Sequence, residues 1–106
     1  MSNGIVGGCF LADLGDYVAE IRFQSASVVS ITVLDGGALA DPGHQETVAA
    51  TTAEVRPGVY FTTWDEKSGA TLTSVADVPN GMLRSVAVLP TGESVMMTGT
   101  FRRLRD

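Results

Sequence analysis

Tyr60, Thr62, Trp64 and Glu66 occupy alternate positions, so an extended segment brings a phenol, a hydroxyl, an indole and a carboxylate to one side. A carboxylate beside an indole on an inward face is poorly solvated. Burial disfavours its charged form, raises its pKa and fits Glu66 for general acid or base work near neutrality. Trp64 offers a flat face for stacking on a ligand, and Tyr60 a hydrogen-bond donor to a carbonyl or phenolate oxygen. Thr62 lies between them as a further ligand contact. The plainer alternative assigns Trp64 and Tyr60 to the core and leaves Glu66, one residue before a turn, in water.

Other residues could assist. His44 is the single histidine and titrates near neutrality when unperturbed; Glu46 falls on the same side if the segment is extended. His44 is read as an acid/base at the rim of a pocket, against the alternative of an ordinary surface histidine. Arg22 and Arg84 each sit in a strand among apolar neighbours and could fix an anionic group, although a strand arginine commonly faces solvent. Tyr17 and Thr73 complete the candidate ligand contacts, Thr73 with the alternative of an ordinary strand residue. Arg102, Arg103 and Arg105 read as a solvated basic tail. Cys9 has no base partner in sequence that would make it a nucleophile. One cysteine and one histidine do not make a zinc site, and no phosphate loop, dinucleotide fingerprint or Ser/His/Asp spacing occurs. The expected chemistry is therefore acid/base, positioning or binding, with neither metal nor cofactor.

Strands must position these groups. The segment Arg56 to Thr73 begins with Arg56-Pro57-Gly58-Val59, whose central Pro-Gly suits a type II turn, and turns again at Lys67-Ser68-Gly69. Earlier, Tyr17, Ala19, Ile21 and Phe23 alternate with Val18, Glu20 and Arg22. Val29, Ile31 and Val33 alternate with Ser30 and Thr32, and Asp35-Gly36-Gly37 ends that strand. Residues 4–14 are apolar and glycine-interrupted, either a first strand or a short cap. Ala38 to Gly43 is the longest loop by composition. His44 to Val55 is extended but weakly patterned, suited to a bulge or a sheet edge. Asn80-Gly81 predicts a two-residue hairpin turn, and Pro90-Thr91-Gly92 another reversal. Gly58, Gly69, Gly81 and Gly92 are spaced by 11, 12 and 11 positions, the metre of seven- or eight-residue strands with short turns. Gly99 inside the last strand, Ser94 to Leu104, suggests a bulge or a barrel corner. No helical periodicity of ~10 residues occurs. The expected fold is all-β, one domain over residues 1–106: a small up-and-down antiparallel barrel of seven to eight strands, with room for packed side chains or one small ligand.

Composition agrees. At 106 residues the chain makes one small domain, and its richness in Val, Thr, Ala and Gly favours strands. A net charge of −5 argues against a nucleic-acid partner, which needs a basic surface. No stretch approaches the ~20 apolar residues of a membrane span. The lone cysteine cannot form an internal disulfide, so a reducing, cytoplasmic setting is expected. Apolar residues on both faces of Met82 to Leu89 lead to the expectation of a homodimer.

The phrase RPGVYFTTWDEKSGATLTSV, with the Tyr17 to Phe23 segment, Asn80-Gly81, Leu89-Pro90-Thr91-Gly92 and Thr98-Gly99-Thr100, resembles the MoaF-like proteins, small lipocalin-type (calycin) barrels. That resemblance implies a barrel with a small-molecule pocket and no defined reaction. The core phrase is also similar to that of phenolic acid decarboxylases, dimeric barrels that act without a cofactor. In that family the glutamate of this phrase is the catalytic acid, which matches Glu66. The family's early tyrosine pair and its arginine are missing from CFLADLGDY and DPGHQET, so decarboxylation of a phenolic acid lacks its carboxylate clamp. The expectation is a cofactor-independent isomerase, cyclase or lyase acting on a small apolar or aromatic metabolite, in secondary metabolism, with Glu66, Tyr60 and His44 as the catalytic groups. The alternatives are a non-catalytic lipocalin-like carrier or binding module, and an interaction subunit with a filled interior.

Overall fold

The computed structural model describes residues 5–37 and 40–105. Eight antiparallel strands, each paired with the next and the last with the first, close into a barrel. They are β1 (Cys9–Asp13), β2 (Val18–Ser25), β3 (Val28–Asp35), β4 (Gln45–Arg56), β5 (Val59–Asp65), β6 (Thr71–Asp77), β7 (Met82–Val88) and β8 (Ser94–Arg105). The loop expected at Ala38 to Gly43 lies partly outside the described residues. Of the segment 4–14, residue 4 lies outside the described residues; the rest holds β1 and a preceding turn, in which Gly8 N donates to Ile5 O at 3.1 Å.

The alternation read from sequence sets the inward face. Tyr17, Ala19, Ile21 and Phe23 are buried, as are Val29, Ile31 and Val33, and Tyr60, Thr62 and Trp64. β4 and β8 are the long strands because each serves two neighbours at different ends. Residues 45–49 pair with β3 and 50–56 with β5, while 94–100 pair with β7 and 100–105 with β1. Closing a sheet requires this stagger. Ala50 N still donates to Ser27 O at 2.9 Å; beyond it β4 is paired on the β5 side, and the register shifts between Glu54 and Arg56, a bulge that discourages further pairing there.

Three details differ from the sequence reading. Asn80-Gly81 is part of a four-residue connection, not a two-residue turn. Gly81 N donates to Val78 O at 3.1 Å and only Gly81, not Asn80, has positive φ, at 65°. Pro79 supplies the negative φ that opens such a turn, and the Asp77 carboxylate accepts from Asn80 Nδ2 at 2.9 Å. Gly99 is not a bulge, since the register through Leu83 and Gly99 is unbroken. It is a close approach: a Cβ there would lie 1.8 Å from the Asp13 carbonyl oxygen. The arginines of the last segment are no tail, for Arg102, Arg103 and Arg105 pair with Leu11, Phe10 and Cys9 of β1.

The two ends of the barrel are unlike. At one, Phe10 stacks on Phe101 with centroids 4.4 Å apart, Phe23 meets both edge-on, and Arg103 lies 4.7 Å over the Phe10 ring. Residues 5–8 cover this plug, Gly7 N donating to Phe23 O at 2.7 Å. The other end, where the even-numbered strands begin, stays open. On the outside, Phe61, Val75, Val88 and Met96 are exposed, and Val86 is half-buried.

Candidate functional site

At the level of Trp64 the barrel is full. Hydroxyls face one another across neighbouring strands, Thr52 with Thr62 at 2.9 Å and Ser74 with Ser85 at 2.7 Å. The void among Thr62, Trp64, Ser74 and Phe101 measures only about 10 Å³. Space opens one layer higher, at the unplugged end, in a cavity of about 280 Å³. Its walls are apolar: Leu72 of β6, Ala87 of β7, Met97 of β8, and Leu89 and Pro90 of the β7–β8 turn. Polar groups enter from the rim as Tyr17, Glu66, Ser68, Thr91 and Glu93. Tyr17 and Met97 also border a second hollow beside Leu14 and Val95.

Glu66 reaches this rim because β5 ends one residue before it and the β5–β6 turn holds it, Gly69 N donating to its carbonyl at 2.9 Å. Trp64 Nε1 donates to Glu66 Oε2 at 3.1 Å, so the indole of the filled layer anchors the carboxylate of the open one. Burial pushes the Glu66 carboxyl above the ordinary carboxylate range; the Trp64 hydrogen bond opposes this, the nearby Glu46 charge adds to it and His44 opposes it. Tyr17, the residue before β2, lines the same cavity. Burial pushes its phenol up, and the charges of Glu66 and then Glu46 push it further, so it keeps its proton.

The structure brings together some expected residues and separates others. Glu66 and Tyr17 share the cavity, with Trp64 beneath them. Tyr60 and Thr62 face inward but lie in the packed layer, and neither lines the cavity. His44 is exposed at the same open end and does not line the cavity; its Nε2 lies 2.7 Å from Glu46 Oε1. Arg22 and Arg84 are exposed on the outer face, and Thr73 is also outside, bonded to Thr63 at 3.0 Å. Alternation explains all three, since their strand neighbours Ile21, Leu83, Leu72 and Ser74 point inward. Cys9 is buried near the plugged end, its Sγ 3.6 Å from Glu20 Oε1.

Glu46, noted in the sequence only as sharing a side with His44, has a larger part in the structure. It is buried, and its second oxygen accepts from Lys67 N at 3.0 Å, tying the start of β4 to the turn that carries Glu66. The signal was its position two residues after His44, on the same strand face. Glu93 and Met97 were missed; only barrel closure brings them to the rim.

Residues 6–102 match the family described as MoaF-like. The chain belongs to the MoaF-like family. No curated protein matches it. Among solved structures, a protein from Burkholderia vietnamiensis described as a "putative beta-lactamase" superposes with a TM-score of 0.86 at 18% identity, covering 98% of this chain and 99% of that one. At that identity the likeness is one of fold. For the MoaF-like barrel it agrees with the eight-strand closure.

Proposed function

We infer that this barrel is a small-molecule pocket protein that works by acid/base chemistry, with Glu66 transferring the proton in an isomerase, cyclase or lyase reaction on a small, largely apolar metabolite. The observation that carries this reading is Glu66 itself: a half-buried carboxyl group, raised in pKa by burial, at the rim of an apolar cavity of about 280 Å³. Such a group holds and releases a proton closer to neutrality than a solvated glutamate does. Tyr17 offers its hydroxyl to a molecule in the cavity, and Trp64 fixes the carboxylate from below. His44 stands outside the cavity and braces Glu46, its Nε2 2.7 Å from Glu46 Oε1. The buried thiol of Cys9 is compatible with a reducing, cytoplasmic setting.

The name of the Burkholderia protein does not transfer: the Ser-x-x-Lys arrangement of serine β-lactamases is missing from this sequence. The test is native mass spectrometry after incubation with metabolite extracts, followed by Glu66→Gln. Transformation of a bound ligand, slowed ~10²-fold or more in that variant, is the expected result. A ligand retained unchanged would make the barrel a carrier, and unaltered turnover in the variant would remove Glu66 from the mechanism.

A further inference from the structure

Tyr17 is only 4% exposed, yet its hydroxyl makes no hydrogen bond within the described residues. It faces the open cavity, where Leu72, Ala87 and Met97 supply no polar partner. No buried side-chain nitrogen or oxygen among the described residues lacks a partner, so this hydroxyl is open to water from the cavity, and a molecule that displaces that water must offer an acceptor in its place. The side chain keeps its proton, so what it lacks is an acceptor.

The charge of the rim narrows what that acceptor can be. Glu66 and Glu93 line the cavity, Glu46 stands close enough to act on both Glu66 and Tyr17, and no Lys or Arg is among the lining residues. A carboxylate or phosphate group entering here would lose water beside like charges with no cation to compensate it. An ammonium group has donors only, so it would leave the Tyr17 proton unpaired and would itself be desolvated by the apolar walls. A neutral carbonyl oxygen meets neither penalty.

We propose that the cavity selects neutral carbonyl compounds, the carbonyl oxygen accepting from the Tyr17 hydroxyl and the apolar body lying against Leu72, Ala87 and Met97. This rests on the pocket reading above and names the class of molecule the pocket takes. Carboxylic acids are excluded by the same rim that admits ketones and aldehydes. Tyr17 is thereby the specificity-determining residue, and Glu66 the group left free to act on the molecule it holds.

Four probes sharing one ring system separate the terms in isothermal titration calorimetry: methylnaphthalene, acetylnaphthalene, naphthoate and naphthylmethylammonium. The ketone is expected to bind about fivefold or more tightly than the hydrocarbon, a margin within the net worth of one hydrogen bond. Tyr17→Phe is expected to erase that margin while leaving methylnaphthalene affinity unchanged, which also reports that the variant has folded. Naphthoate and naphthylmethylammonium are expected to bind more weakly than the ketone. A ketone no tighter than the hydrocarbon, a margin that survives in Tyr17→Phe, or tightest binding by either charged probe overturns the carbonyl assignment and leaves the pocket standing. Failure of all four to bind overturns the pocket reading and this one with it.

Discussion

Glu66 is held where a carboxylate is uncomfortable, and the discomfort has a measurable sign. Its pKa in the folded chain lies above the ordinary 4.5 because burial penalises the charged form. As pH rises past 4.5 the unfolded chain releases this proton first, so the folded state binds more protons through the window above that value. The stability Glu66 contributes is fully present below 4.5 and is lost as pH climbs through its folded pKa. Gln cannot ionise, and its side-chain oxygen still accepts from Trp64. Urea unfolding of Glu66→Gln and the parent chain is therefore expected to show the variant gaining relative stability as pH rises from acid to neutral. A parallel pH dependence would mean that Glu66 is solvated like any surface carboxylate. At this scale the sequence was informative about type but not about company. Alternation put Tyr60, Thr62, Trp64 and Glu66 on one face, and that face is the inward one. It could not tell that the first three belong to the packed layer and only the fourth to the cavity, because depth along the barrel depends on strand stagger. The pairing of Glu66 with Tyr17 was hidden for the same reason.

The strands carry their own tests. Ser74 and Ser85 are cross-strand partners whose buried hydroxyls bond at 2.7 Å. Removing either hydroxyl leaves the other without its partner and is expected to cost about 1 kcal/mol, while removing both costs less than the two single losses combined. Chemical denaturation of Ser74→Ala, Ser85→Ala and the double variant checks this, and strict additivity would contradict the pairing. Gly99 faces the Asp13 carbonyl at a distance no Cβ tolerates, and the neighbour is backbone that cannot swing away. Gly99→Ala is expected to lose about 2 kcal/mol or more in the same assay, with a neutral effect arguing against so close an approach. The strands and most reversals were legible because period-two alternation and turn glycines are local signals. Asn80-Gly81 misled because the deciding residues, Asp77 and Pro79, stand just before the pair. Gly99 was recognised as special, but its cause lies in β1, far away along the chain.

For the whole molecule, the consequence of closure is an asymmetric barrel: phenylalanines plug one end, paired hydroxyls fill the middle, and the remaining space collects at the other end. The barrel was legible from hairpin metre and family resemblance. Its uneven filling was not, since three phenylalanines spread over β1, β2 and β8 meet only after the sheet closes. The proposed function rests on that unevenness, because the apolar cavity bordered by Tyr17 and Glu66 lies at the open end. The direct measurement is a map of backbone amide shifts in the ¹⁵N-labelled protein during titration with acetylnaphthalene. The expected shifts cluster at Tyr17, Glu66, Ala70, Leu72 and Ala87, with the plug residues Phe10 and Phe101 unmoved. Shifts confined to the outer face around Phe61 and Val75, or none at saturating probe, would contradict the assignment of the open end as the binding site.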